Sequence, residues 1–200
     1  MNKLLFDLDP DFESTYRKIP GLSMVERLIT DVEHDQLVEQ IDSEVWSNEL
    51  KRRVQHYGYK YSYKSRSITA DMAAAPLPDW AVDVATKLVE LGIFEYQPDQ
   101  LIVNEYLPGQ GIAPHIDCEP CFSDTIVSLS LGSTAMMRFD EKDGSKTIQV
   151  PLKRRCAVVL EHDARYLWYH SIPARKSDII DGIRVARTRR ISLTFRNVIL

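Results

Sequence analysis

Hydrophobic positions along this chain change their spacing near residue 92. Over 31–46, DVEHDQLVEQIDSEVW, the residues Leu37, Val38, Ile41 and Val45 recur at three- and four-residue intervals, which predicts a helix with Asp31 as its cap and His34 on its solvent side. A second helix fits 79–91, DWAVDVATKLVEL. Asp79 stands at its start, Gly92 lies just past its end, and Val82, Ala85, Leu88 and Val89 make one face. Beyond Gly92 the apolar runs become short, β-branched and aromatic: QLIVNEYL, DTIVSLSLG, TAMMRFD, KTIQVPL, CAVVLE, RYLWYHSI and RRISLTFRNV. Turn residues such as Pro108-Gly109, Gly132-Ser133 and Asp143-Gly144 separate them, the pattern of a β-sandwich or barrel. The expected fold is mainly β with flanking helices. A β-rich core runs from about residue 98 to the end, and residues 1–97 supply helices and a basic hairpin-like segment.

Composition changes this picture little. Two hundred residues make one domain, large enough to bury a core without disulfide staples, and 44 % hydrophobic with 27 % charged residues is ordinary for a globular chain. No apolar run approaches the roughly 20 residues that span a bilayer, and the first 16 residues lack the basic start and long apolar stretch of a signal peptide. Three cysteines, an odd number, argue against a disulfide framework and for a reducing compartment. A cytoplasmic monomer without membrane contact is expected.

Charge is more informative in its distribution. The net charge of −4 gives no global attraction to nucleic acid, but residues 51–66, KRRVQHYGYKYSYKSR, hold six Lys or Arg, four Tyr and no acid. Such a segment is either a solvated hairpin with its tyrosines packed on the body, or a surface that neutralises phosphates and stacks bases. In the second reading Lys51, Arg52, Arg53, Lys60, Lys64 and Arg66 neutralise phosphates, Tyr57 or Tyr59 stacks, and Gly58 permits a tight turn.

The candidate chemistry begins at His115-Ile116-Asp117. In extended backbone, residues i and i+2 share a side, so an imidazole and a carboxylate can approach one point. A third ligand is needed. Of the five histidines, His170 after the aromatic run RYLWY is the best placed. Two His and one carboxylate on one face of Fe(II) leave three positions open, two for a bidentate 2-oxoacid and one for O2. A competing reading groups Cys118, Cys121 and His115 as a zinc site, but Cys156, the remaining cysteine, sits in an apolar strand, so buried, idle thiols are the default. In the last strand Arg190, Ser192, Thr194 and Arg196 alternate with Ile191, Leu193 and Phe195. The polar side faces either water or the interior. Facing inward, two guanidinium groups would require an anion, and a dicarboxylate supplies one at each end.

These residues carry a resemblance. N-x-Y-x-P-G at 104–109, H-x-D at 115–117, a distal His at 170 and R-x-S-x-T-x-R at 190–196 resemble the AlkB family of iron(II)/2-oxoglutarate dioxygenases over residues 50–198. The resemblance implies a double-stranded β-helix, or jelly roll, with an N-terminal nucleotide-recognition lid. It implies that His115, Asp117 and His170 bind Fe(II), and that Arg190 and Tyr106 hold the distal carboxylate of 2-oxoglutarate. Arg196 and Asn104 would attend the chelating end, Ser192 belongs to the same cofactor motif, and Glu119 would contact the target base. The implied activity is oxidation with O2 of alkylated bases in single-stranded or flipped-out DNA or RNA. Many members have Asn where Ser192 stands. That Ser, with RRVQHYGY and VSLSLGS, resembles the branch containing the tRNA wobble-uridine hydroxylase.

Overall fold

A computed structural model of the protein describes residues 16–62 and 65–200. The start of the chain, Tyr63 and Lys64 lie outside the described residues. The elements run β1 (Leu22–Val25), α1 (Asp31–Ser43), β2 (Val54–Tyr57), α2 (Asp79–Glu90), β3 (Gln100–Tyr106), β4 (Ile112–His115), β5 (Ile126–Gly132), β6 (Ala135–Glu141), β7 (Thr147–Leu152), β8 (Ala157–Leu160), α3 (His162–Tyr166), β9 (Trp168–Ile172), β10 (Ser177–Ile180), β11 (Ile183–Ala186) and β12 (Arg190–Arg196).

The strands form a six-stranded sheet ordered β1-β8-β5-β12-β3-β2 and a four-stranded sheet ordered β4-β9-β6-β7, with β10 and β11 as a separate hairpin. This is the jelly roll that the short, turn-separated apolar runs predict. One face of the larger sheet packs on α1 and α2 through Leu101, Val103, Val127, Leu129, Ile191, Leu193 and Phe195. The other faces the smaller sheet, where Met137, Phe139, Val150 and Trp168 meet Ile126, Val158 and Leu160. Strands buried on both faces need no polar side to be stable, yet β12 places Arg190, Ser192, Thr194 and Arg196 on the inner face.

Several local expectations change. Thr30 caps α1: its hydroxyl accepts from the Glu33 N–H while the Glu33 carboxylate accepts from the Thr30 N–H, so Asp31 is the first helical residue. His34 is buried, its Nε2 accepting from the Gly132 N–H at 3.0 Å, and does not face solvent. Val45 lies past the helix end and is exposed. On α2 the buried face is Trp80, Ala81, Val84, Ala85 and Leu88, rotated from the predicted one, with Val82 turned outward. The front of the run RYLWYHSI belongs to α3, and its strand begins at Trp168.

The described residues before 98 contribute β1 and β2 to the two edges of the larger sheet, and β2 pairs with β3 from Val54↔Asn104 to Tyr57↔Leu101. Gly58 ends that strand with φ 76, and a Cβ there would meet the Asp99 carbonyl oxygen at 1.8 Å, so this turn requires glycine. The expected disulfide-free chain is also corrected. Cys118 and Cys121 are bonded to each other across the short 3-10 turn Glu119–Cys121, and Cys156 stays a buried thiol.

Candidate metal centre

Antiparallel pairing of β4 with β9 sets His115 directly opposite His170, with ring centroids 4.3 Å apart. Asp117 follows two residues after His115, and its Oδ2 lies 3.8 Å from His170 Nε2. The three side chains each offer an atom within 4.8 Å of the others. The Ala113 carbonyl accepts a bond of 2.8 Å from His115 Nδ1, so Nε2 is the ring nitrogen left to meet a ligand.

The charge states suit a cation. Burial alone would raise the Asp117 carboxyl, but Arg196, His170, His115 and Arg165 outweigh it and hold the group well below the usual carboxylate range. Arg196 Nη2 donates to Asp117 Oδ1 at 2.9 Å, and Nη1 donates to Gln100 Oε1. Burial, then the neighbouring His115, pushes His170 down to about 3, so its imidazole stays neutral. An anionic carboxylate and a neutral imidazole are forms that ligate metal.

Strand register builds the rest of the wall. Pairing of β12 with β3 and β5 aligns Arg190 with Tyr106, Ser192 with Asn104 and Ser130, and Arg196 with Gln100. Arg190 is 2 % exposed. Its Nη2 donates to Ser130 Oγ at 2.8 Å and its guanidinium lies 5.4 Å from the Tyr106 ring centre, but Nε and Nη1 have no partner. Burial pushes this guanidinium down to about 10. Neutral neighbours do not compensate a buried cation, so this guanidinium calls for an anion such as a carboxylate. Arg196 is already paired with Asp117, with its Nε left unpartnered, whereas Arg190 has no carboxylate beside it.

These walls enclose a cavity of about 750 Å3 that also takes in Asn104, Tyr106, Ser192 and Glu119. Asn104 Oδ1 accepts from Arg52 Nε at 2.8 Å, Ser192 Oγ bonds Ser128 Oγ at 2.7 Å, and Glu119 at the rim faces Lys142. The expected substrate residues of the basic segment lie elsewhere. Arg53 grips both oxygens of Glu105 and stacks on Trp46. Tyr57 is buried edge-on against Trp80 in the helix-side core. Tyr59 packs against the inner core, and its carbonyl accepts from Gln100. The cause is parity. Residues 53, 55 and 57 of the edge strand share the helix side with 101, 103 and 105 of β3, so the cavity receives Arg52 instead, with Lys51, Tyr61 and Arg66 beside it. Sequence reasoning grouped Arg52 with Arg53 for that reason, and it did not single out Tyr61, which lies beyond the end of β2. It missed Ser128 and Ser130 although their alternation in IVSLSLG mirrors that of β12. Arg165 carried no signal at all: it is 2 % exposed and donates to the carbonyls of Asp117, Cys118 and Phe122.

Such a cavity, with a two-His, one-carboxylate cluster beside an unmatched arginine, is that of a 2-oxoglutarate-dependent oxygenase. Residues 22–196 match the family described as the 2OG-Fe(II) oxygenase superfamily, and the chain belongs to it, among its AlkB-like members. It is thus a dioxygenase whose cofactors are Fe(II), 2-oxoglutarate and O2. The chain is 36 % identical to "tRNA (carboxymethyluridine(34)-5-O)-methyltransferase alkbh8" of Xenopus tropicalis over 90 % of its own length and 32 % of that protein's. It is 34 % identical to "Alkylated DNA repair protein ALKBH8 homolog" of Arabidopsis thaliana, covering 90 % of this chain and 59 % of the relative. The chain therefore spans a third to somewhat over half of these curated relatives. Its fold matches "The structure of OsALKBH1" with a TM-score of 0.69 at 17 % identity, covering 89 % of this chain and 98 % of that one.

Proposed function

We propose that the enzyme oxidatively demethylates alkylated bases in DNA or RNA, consuming 2-oxoglutarate and O2 and releasing succinate, CO2 and formaldehyde. One observation carries this reading: a single cavity joins the His115–Asp117–His170 cluster and Arg190 at its floor to a basic, aromatic rim of Lys51, Arg52, Tyr61 and Arg66. His115, Asp117 and His170 would hold the metal. Arg190 would receive the distal carboxylate of 2-oxoglutarate on its guanidinium, with the Tyr106 hydroxyl beside it, and Asn104 and Ser192 line the same wall. Arg196 keeps Asp117 anionic. Bound iron supplies the activation of O2, coupled to decarboxylation of the oxoacid, that inserts oxygen into a substrate C–H bond. An N-linked methyl hydroxylated in this way is lost as formaldehyde.

The rim neutralises phosphates and offers one ring for stacking, and Glu119 stands where an extruded base would enter. A second reading, hydroxylation of a modified tRNA wobble uridine, draws on the printed name of the Xenopus relative, which specifies carboxymethyluridine at position 34. A carbon-linked group keeps its new hydroxyl. Oligonucleotides bearing methylated adenine, methylated cytosine or modified wobble uridine, followed by mass spectrometry and succinate release, separate the two: loss of a methyl group supports the first, gain of one oxygen the second. No succinate above background with any of them would defeat both.

A further inference from the structure

Strand register pins two of the three ligand side chains, because His115 and His170 stand opposite each other in the β4–β9 ladder. Asp117 has no such support. It lies past the end of β4, ahead of the turn Glu119–Cys121, and no strand pairs with it. A working site tolerates shifts of only about 0.5 Å, so a ligand on a loop must be held by something else. Two arginines hold this one. Arg196, from β12, donates to its carboxylate at 2.9 Å. Arg165, from α3, donates through Nη1 to the backbone carbonyl of the same residue at 2.9 Å. Its Nη2 donates to the carbonyls of Cys118 at 3.2 Å and Phe122 at 3.5 Å.

The element that carries Arg165 is itself anchored. Ala164 is fully buried and its N–H donates to the Pro20 carbonyl at 2.9 Å. Buried Trp168 then opens β9, two residues before His170. Arg165 thus stands five residues from one ligand along the chain and is bonded to the backbone of another. Three carbonyls converging on one point need several donors spread over a plane, which a guanidinium has and an ammonium lacks. Among the described residues no carboxylate bonds Arg165, which meets only these carbonyls and the ring of Tyr166 at 4.9 Å. A buried cation is a costly way to close a loop that neutral donors could close, so stability alone does not account for it. We propose that Arg165 is a positioning residue of the metal centre: it ties the 117–122 loop to the root of β9 and so sets Asp117 against His170, whose nearest ligand atoms lie 3.8 Å apart. It does not line the cavity and acts only through Asp117. This rests on the reading of His115, Asp117 and His170 as the metal ligands.

Titration of Co(II) into the metal-free full chain tests this, because the visible absorption of that ion reports its ligands without any turnover. Arg165→Met removes every donor at similar length, and Co(II) affinity is expected to fall about 10- to 100-fold with an altered band. Arg165→Lys keeps the charge but cannot span the three carbonyls, and should weaken binding severalfold. Arg53→Met, which removes a framework arginine on the helix side of the larger sheet, controls for lost stability and should keep the wild-type affinity and band. Wild-type affinity in either Arg165 variant, or equal weakening in Arg165→Met and Arg53→Met, would overturn the proposal. Should Arg165→Met yield no folded protein, Arg165→Lys decides: weaker binding upholds the proposal and wild-type binding overturns it. A wild-type chain that takes up no Co(II), or a His170→Ala chain that takes it up equally well, would instead defeat the reading of the metal centre, and this inference with it.

Discussion

The terminal strand β12 and the segment 51–66 both look, in sequence, like cationic residues alternating with apolar or aromatic ones. Their fates in the fold differ. Arg190 is buried on the inner face with two nitrogens unpartnered, whereas Arg53, on an edge strand, is met by Glu105, which Arg189 also binds, and Arg189 in turn holds Asp42. A buried charge without a counterion costs several kcal/mol and is tolerated where a ligand supplies the counterion; a paired charge is part of the framework. The difference between site and scaffold here is therefore one of electrostatic completion, not of residue type.

Substitutions sharpen that contrast. His170→Ala removes a ligand outright, and succinate formation should fall by more than about 100-fold, the scale reached even by changes to groups behind the ligands. Arg190→Met should raise the KM for 2-oxoglutarate about 10- to 100-fold, equivalent to a charge-assisted hydrogen bond of about 1.5–3 kcal/mol, while leaving the ligand-free protein no less stable in urea. Arg53→Met should do the reverse, lowering stability by about 1–3 kcal/mol with the KM for 2-oxoglutarate unchanged. Equal stability losses in the two variants would erase the distinction. Within the tyrosines, Tyr57→Ala should cost about 3 kcal/mol of stability by opening the core, while Tyr61→Ala should leave the melting temperature in place and weaken oligonucleotide binding by about 1 kcal/mol.

A last test is a pH dependence. Burial, then the charge of Lys60, pushes His56 down to about 4 from its ordinary 6.5. Between those values the unfolded chain takes up a proton that the folded chain refuses, so stability is complete above about pH 6.5 and falls as pH drops toward 4. His56→Gln should flatten that slope, by about 1–2 kcal/mol across the window in denaturant titrations.

Much of this was legible in the sequence because it depends on spacing. Period-2 alternation in β12 placed Arg190, Ser192 and Arg196 on one face, the family resemblance added Asn104 and Tyr106, and the structure pairs β12 with β3 in register. The H-x-D spacing and the aromatic run before residue 170 led to two strands that the structure pairs as well. What was not legible depends on which face of an element turns inward. Arg52 and Arg53 are adjacent and chemically alike; only the parity of β2 against β3 sends one to the cavity and the other to Glu105. Arg165 acts through backbone carbonyls 43 to 48 residues away in sequence, a relation no local pattern encodes.

The central claim is that three side chains and one arginine together make a metal–oxoacid site. Anaerobic addition of Fe(II) and then 2-oxoglutarate, followed by visible charge-transfer absorption, tests it most directly. The account predicts a band that saturates at one metal per chain, is lost in His170→Ala, and in Arg190→Met appears only at much higher 2-oxoglutarate. A wild-type protein that develops no band, or a His170→Ala protein that develops the same one, would contradict it.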